Sequence, residues 1–223
     1  MSGDHIRWSS PSKIPRYGRD VIEPLPADDA ALALAYAHPA AEGRAYVRAN
    51  MISSLDGSST AAGLSGGLGG DGDRRVFRAL RAAADVVLVG AATVRDEDYG
   101  TPEHPALAVV TRGTLARTPR LYPADGPEPI VYSGHGGSVD LHAVLDDLYA
   151  RGHRRVLAEG GPGVLGALLA AGLVDELCLT IAPIVAGGDG KRIVTGPDLP
   201  LDRWHRRHVL ADDEGYLYSR WAR

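Results

Sequence analysis

Two segments of this chain place glycines between an apolar run and a helix-forming run, and both suit phosphate binding. The stronger is VLAEGGPGVLGALLAAGLVDEL, residues 156–177, in which Gly161, Gly163 and Gly166 satisfy G-x-G-x-x-G. In such a turn backbone N–H groups and the positive end of a helix meet a phosphate. A purely structural strand-to-helix turn would have the same composition. A standard Rossmann unit also needs an acid at the end of the following strand, about 20 residues on, to hold ribose hydroxyls. Here that strand, LCLTIAPIV, runs into Ala186-Gly187-Gly188, while Asp175 and Glu176 lie before it. The Rossmann unit is rejected and phosphate binding is kept. The second segment is ADVVLVGAATVRDEDYG, residues 84–100, where Thr93 is expected to cap a short helix and to bond a ligand phosphate, or to cap alone.

Two carboxylates stand beside these turns. Glu159 ends the apolar strand RRVLAE, and the carboxyl ends of parallel strands are where open α/β sheets bind ligands. The alternative is a solvated strand end. Asp56 follows the strand YVRANMIS and opens SLDGSSTAAGLSGGLGGDG, residues 54–72, whose seven glycines and exposed Ser58 and Ser59 suit a lid hinged by glycine. Asp56 is placed to bind substrate or assist proton transfer, although Asp-Gly is also a common plain turn.

Other motifs fail on context. Gly63-Leu64-Ser65-Gly66-Gly67 matches G-x-S-x-G, and His135-Gly136-Gly137 suggests an esterase oxyanion segment. Ser65 lacks the buried strand before it and the helix after it, and the oxyanion segment should precede the serine. His205 and His208 form HxxH without HExxH or a cysteine cluster, so strand-surface residues are expected and no metal site. No tyrosine has a lysine four positions later, which removes the short-chain dehydrogenase pair.

The elements that must position these residues follow an α/β rhythm. DRRVFRALRAAA carries Val76, Phe77, Leu80, Ala83 and Ala84 on one helical stripe, with Asp71 or Asp73 as N-cap. Strands are expected at 106–111, 129–133, 154–159 and 176–185, and helices over Val139–Arg151 and Gly163–Ala171. Runs such as VVLVG suit strands buried on both faces of a parallel sheet. RRHVLADDEGYLYSRWA, with turn residues between two alternating runs, predicts a C-terminal antiparallel hairpin. Residues 1–43, rich in proline, read as an arm with one short helix at Asp28–Ala37, and residues 44–223 as a single domain.

Composition narrows the class. The 223 residues hold 24 Lys+Arg against 28 Asp+Glu, a formal charge of −4, with 44% apolar and 23% charged residues. No window approaches the roughly 18–20 consecutive apolar residues of a membrane span. A mildly acidic chain lacks the basic face of a nucleic-acid binder. One cysteine, Cys178, builds neither an intramolecular disulfide nor a thiolate zinc site, and the first 30 residues hold no apolar signal core. A reduced, cytoplasmic compartment is expected.

Four motifs in order, RANMISSLDG (48–57), DVVLVGAATVRDEDYG (85–100), LAEGGPGVL (157–165) and LTIAPIVAGG (179–188), resemble the RibD-type C-terminal reductase domain of bacterial riboflavin biosynthesis deaminase-reductases. The resemblance covers about residues 45–221 and looks closest to free-standing actinobacterial members. It implies a dihydrofolate-reductase-like fold, NADPH as cofactor and a homodimer. Gly160, Gly161, Gly163 and Val164 match the turn holding the pyrophosphate, and Gly90, Thr93 and Val94 match the second cofactor turn. Thr111 and Arg112 match the position meeting the adenosine ribose and its 2′-phosphate, where a guanidinium would distinguish NADPH from NADH. Asn50, Ser54, Asp56 and Glu159 match positions lining the pyrimidine and ribose pocket.

The zinc deaminase elements H-x-E and P-C-x-x-C are missing. The implied reaction is hydride transfer to C1′ of a ribosylamino-pyrimidine 5′-phosphate, with Asp56 delivering a proton or holding the open-chain form and Glu159 bonding substrate. One departure stands out: Glu97-Asp98-Tyr99 replaces the Asp-Asp-Pro of bifunctional members. Reduction of a pterin such as dihydrofolate is the first alternative, and a non-catalytic NADP-binding sensor the second.

Overall fold

The computed structural model describes residues 22–39, 42–61, 63–134 and 138–223. The expected esterase segment His135–Gly137 and residues 1–21 of the expected arm lie outside the described residues. The strands are β1 (Glu23–Pro24), β2 (Tyr46–Ser53), β3 (Val86–Gly90), β4 (Ala106–Thr111), β5 (Ile130–Ser133), β6 (Arg155–Ala158), β7 (Glu176–Ile181), β8 (His205–Ala211) and β9 (Leu217–Ala222). The helices are α1 (Asp29–Ala35), α2 (Asp71–Ala82), α3 (Ala91–Asp96), α4 (Leu141–Ala150) and α5 (Pro162–Ala170).

All the described strands join one sheet in the order β1-β8-β9-β7-β2-β6-β3-β4-β5. Pairing is parallel except where β9 lies antiparallel between β7 and β8. The mostly parallel α/β sheet and the C-terminal hairpin are therefore both present. Every residue of β3 is buried, and alternation sends Val87 and Val89 to one side and Val86 and Leu88 to the other. On the first side the sheet carries α1 and α2 through Leu32, Val76 and Leu80; on the second it carries α4 and α5 through Leu148, Leu165 and Leu168. Burying each such leucine is worth about 1.5–3 kcal/mol.

Several local expectations are corrected. The N-cap of α2 is Gly70, without a side-chain bond, and Asp71 and Asp73 sit in its first turn. Asp71 instead pairs with Arg74, while Asp73 is partly buried, which raises its pKa. Val76 and Leu80 take the core stripe, and Phe77, one position round, is only half-buried. The strand expected to reach residue 185 ends at Ile181, two residues before Pro183, whose nitrogen has no hydrogen to donate. His208 is half-buried rather than on the strand surface, because its ring packs edge-on to Tyr36 with centroids 5.1 Å apart.

The described part of residues 22–43 is built into the sheet. β1 pairs in parallel with β8, Glu23 opposite Leu210, and α1 buries Leu32 next to Tyr36. Beside Tyr36 lies an ion cluster in which Arg48 and Glu176 are fully buried and Arg220 is partly so. Glu176 faces Arg48 at 2.5 Å and accepts from Arg220 Nε at 2.8 Å and Nη2 at 2.9 Å. Both guanidinium groups also donate to backbone carbonyls: Arg48 to Tyr36 and Ala37, Arg220 to Ala35 and Ala37.

Candidate active site

The two glycine turns meet at the carboxyl ends of β3 and β6. Gly90 N donates to Gly160 O at 2.8 Å, and Gly160 takes φ +92°, a left-handed conformation that disfavours a side chain. α3 and α5 begin here on Gly90 and Gly161, neither with a side-chain cap. Thr93 therefore lies inside α3 rather than capping it, since Gly90 occupies the cap. A Cβ on Gly161 would stand 2.7 Å from Thr93 Oγ1, and one on Gly90 would stand 2.8 Å from Val164 Cγ2. Of the predicted cofactor residues, Gly90, Thr93, Gly160, Gly161 and Val164 thus meet in one cradle, while Val94 faces the core from α3 and Gly163 sits in the first turn of α5. Gly166, the third glycine of the motif, has a different task. A Cβ there would stand 2.0 Å from the Thr195 carbonyl, so this glycine lets α5 pack on the 195 segment. Gly166→Ala is expected to lower stability by about 1–3 kcal/mol through overpacking, measured by chemical denaturation.

Thr111 ends β4 buried, its hydroxyl engaged with Gly113 N and O at 3.1 and 3.0 Å, while Arg112 is exposed and carries no ion pair among the described residues. The fixed threonine turn aims an uncommitted guanidinium outward beside β5.

Next to the cradle a cleft of about 550 Å³ opens over the ends of β2 and β6, and it includes Asn50, Thr93 and Glu159. The carboxylate of Glu159 is almost fully enclosed. It accepts from Arg81 Nε at 2.7 Å, Arg81 Nη2 at 2.6 Å and the Tyr99 hydroxyl at 2.5 Å. Burial works against the Arg81 charge, yet the carboxylate holds its pKa above the ordinary arginine value. Burial, then the Glu159 charge, raises the pKa of Tyr99. Tyr99 is therefore a neutral hydrogen-bond donor at physiological pH. Arg81 also lies over the Phe77 ring, 4.3 Å from its centroid.

The segment that departs from the family pattern lines this cleft. Glu97 accepts from Ser65 N and Oγ, both at 2.8 Å, Asp98 accepts from Arg120 at 2.7 Å, and Tyr99 holds Glu159. Sequence reasoning missed Arg81, Tyr99, Arg120 and Asp73, and dismissed Ser65 with its failed hydrolase motif. One signal was legible: Asp73, Phe77 and Arg81 are spaced i, i+4, i+8, a second stripe on α2 that faces the cleft.

Ser54 and Asp56 stand away from that wall. Ser54 Oγ donates to Asp56 at 2.5 Å and accepts from Ser58 N at 2.9 Å. Asp56 further accepts from Ala186 N at 3.0 Å and Gly187 N at 2.7 Å. These bonds, the Ser54 hydroxyl foremost, hold its carboxyl down at about 2. Ser58 and Ser59 are buried rather than exposed, because Ser59 N donates to Lys191 O at 2.7 Å and Ser58 fills the space beside Gly190. The front of the expected lid is thus fastened to residues 184–191, and Leu68 anchors its rear in the core. A hollow of about 400 Å³ lies between the two segments, lined by Thr60, Ala61 and Ala186 among others.

The Asp56 carboxylate is ionised at neutrality and its oxygens are occupied by Ser54, Ala186 and Gly187. Asp56 is a clamp in this geometry, and its contribution to stability, present above pH 3.8, is lost as pH falls toward 2. Asp56→Asn is expected to leave the shape of the pH–activity profile from about 5 to 9 unchanged and to speed amide exchange at Ala186 and Gly187 severalfold. Proton exchange followed by NMR checks the second outcome; a profile that loses a limb would restore the proton-transfer role.

Among the described residues no helix is long and apolar enough to cross a membrane, and no group of three His, Cys, Asp or Glu is placed to hold a metal ion. Cys178 is a free, buried thiol whose pKa burial pushes up to about 12.

Comparison with known proteins agrees with the geometry. A 2,5-diamino-6-ribosylamino-4(3H)-pyrimidinone 5′-phosphate reductase from Methanothermobacter thermautotrophicus is 31% identical over 183 residues, covering 69% of this chain and 85% of that protein. The chain also spans about half the length of the longer RibD proteins that it matches. Among solved structures, a pyrimidine reductase-like protein from Corynebacterium diphtheriae superposes with a TM-score of 0.67 at 24% identity, covering 80% of this chain and 91% of that one. Dihydrofolate reductase from Enterococcus faecalis, complexed with NADP(H), superposes with a TM-score of 0.57 at 15% identity, covering 80% and 96%. The fold is dihydrofolate-reductase-like, as the motif resemblance implies. The RibD C-terminal domain family matches residues 45–218, and the chain belongs to that family.

Proposed function

We propose that this protein is an NADPH-dependent reductase of a ribosylamino-pyrimidine 5′-phosphate, giving the ribitylamino product in riboflavin biosynthesis. One observation carries the reading: Glu159, fixed by Arg81 and Tyr99 in the cleft, is followed directly by the Gly160–Val164 turn of the cofactor cradle. A substrate in the cleft and a dinucleotide on the turns would meet at one chain segment, which is the proximity that transfer between them requires.

The cradle suits a dinucleotide. Its glycines keep both helix starts bare, so backbone N–H groups can approach a pyrophosphate, and Arg112 offers a fork to a ribose 2′-phosphate. When bound, NADPH supplies the hydride. The protein's part is binding and orientation. Arg81 and Tyr99 fix the Glu159 carboxylate with three donors, which leaves about one acceptor site for a substrate hydroxyl or a ring nitrogen. Arg120, exposed beside the cleft and paired among the described residues with an exposed Asp98 alone, meets the 5′-phosphate. Asn50, at the floor, adds an amide. Asp56 and Ser54 act at a distance, by holding the 54–61 and 184–191 segments together.

The lining favours a sugar phosphate over a folate, because charged groups surround the cleft where an aminobenzoyl tail would need a long apolar slot. The decisive assay is NADPH oxidation at 340 nm with the pyrimidine phosphate against dihydrofolate, each repeated with NADH. Turnover of the pyrimidine with NADPH is expected. Turnover of dihydrofolate alone would transfer the protein to pterin reduction, and silence with both, despite tight NADPH binding, would favour a sensor. Arg112→Ala is expected to raise the KM for NADPH about tenfold and to leave that for NADH unchanged, as loss of a charge-assisted contact predicts. The homodimer rests on the family resemblance alone, and light scattering on the purified protein tests it. The single buried thiol supports a cytoplasmic setting.

A further inference from the structure

Of the acids around the cleft, three are already taken by donors. Glu159 holds Arg81 and Tyr99, Glu97 holds Ser65, and Asp98 holds Arg120. Asp73 differs. It projects from the first turn of α2 into the same cleft and has no ion pair among the described residues. Thr180, 2% exposed on β7 directly opposite Ile52 of β2, lies on its sheet side, and its hydroxyl works to lower the Asp73 pKa. One helical turn on, Phe77 presents a ring in the cleft wall. An acid with a spare acceptor edge beside an aromatic ring is the layout for a flat heterocycle that carries two adjacent donors.

We propose that Asp73 reads the ring of the substrate, and that it selects a 2-aminopyrimidin-4-one, the pyrimidine before deamination, over the corresponding uracil. The proposal rests on the reductase reading for its substrate class. A 2-amino group and the neighbouring N3–H point the same way and give one N–H to each carboxylate oxygen. At the same edge a uracil offers N3–H beside a C2 carbonyl, which sets an oxygen lone pair against a carboxylate oxygen. The uracil's other donor pair, N1–H and the 6-amino N–H, flanks the sugar and belongs to the reacting side. Desolvation raises the Asp73 pKa, with Thr180 and Arg74 opposing it, the mark of a carboxylate short of donors that a ring edge would restore.

Asn at this position would present one acceptor and one donor, the complement of the uracil edge. The test is calorimetric titration of the full chain with 2,5-diamino-6-ribosylamino-4(3H)-pyrimidinone 5′-phosphate and with 5-amino-6-ribosylaminouracil 5′-phosphate, without reductant, followed by NADPH oxidation on the same samples. The wild type is expected to bind the diamino ring about 30-fold more tightly, the size of a hydrogen bond to a charged group. Asp73→Asn is expected to reverse the order, and Asp73→Ser to abolish the preference without reversing it. Equal affinities in the wild type overturn the proposal whether or not a variant folds. An equal loss for both ligands in Asp73→Asn also overturns it, because that would mark a structural role. Selective binding without hydride transfer would keep Asp73 as the reader while the reductase reading falls; turnover of both rings with equal KM would do the opposite. A reduced pterin carries the same 2-amino edge, so tighter binding of 7,8-dihydrofolate than of either pyrimidine would overturn the choice of ring.

Discussion

Glu176→Ala is expected to unfold about 3–5 kcal/mol more easily than the wild type, the cost of leaving buried charges without their partner. Total stabilities of domains run to about 5–15 kcal/mol, so this one side chain would consume much of the margin. The reason is geometric. Arg48 is 1% exposed and Arg220 lies beside it, and each relies on the Glu176 carboxylate for its counter-charge. Without that carboxylate two guanidinium groups face each other in the core. Equilibrium denaturation would measure the loss. A triple variant, Arg48→Met, Glu176→Leu, Arg220→Met, is expected to recover most of it, since an apolar replacement of the whole cluster leaves no unpaired charge. The cluster also sets a pH dependence. Burial opposes ionisation of Glu176, but Arg220 and Arg48 together hold its pKa below the ordinary value of 4.5. Its stabilisation is therefore complete above pH 4.5 and fades as the medium is acidified further. The Glu176→Ala protein should lack that part of the acid limb.

The second large effect is on activity. Glu159→Gln keeps the shape of the side chain but loses the charge that Arg81 and Tyr99 converge on. A fall in kcat/KM of about 10²–10³ is expected, the range seen when an oriented polar group is taken from a water-poor site. NADPH affinity should stay within about twofold, because the backbone of the Gly160–Val164 turn is unchanged. Comparing pyrimidine-dependent NADPH oxidation with cofactor binding separates the two. A loss of cofactor affinity equal to the loss of turnover would mean that Glu159 supports the turn rather than the substrate.

Much of the fold was legible because its signals are local. VVLVG announces a strand buried on both faces, and turn residues between alternating runs announce the hairpin. The glycine cradle was legible as well, since a close backbone approach leaves few residue types at Gly90 and Gly161. The cleft was harder to read. Arg81 sits two turns along a helix whose apolar residues dominate the pattern, and nothing in its neighbours marks it as the partner of an acid 78 residues away. Tyr99 stood in the segment that departs from the family pattern, so resemblance gave it no role. Asp56 was legible as a motif residue, but its bonding was not. Its motif matches, but the bonds that occupy its carboxylate come from residues 186 and 187, far along the chain.

The placement of β9 between β7 and β8 has a consequence in time. Arg220 grips the carbonyls of Ala35 and Ala37, and β1 needs β8 as its neighbour, so a segment made early waits for strands made late. At translation rates of about 5–20 residues per second, residues 22–39 are synthesised roughly 10–40 s before Arg220. Throughout that interval Leu32 and Tyr36 lack their neighbours on β8 and β9, among them His208 and Leu210, and they are the surfaces on which a chaperone would find the nascent chain.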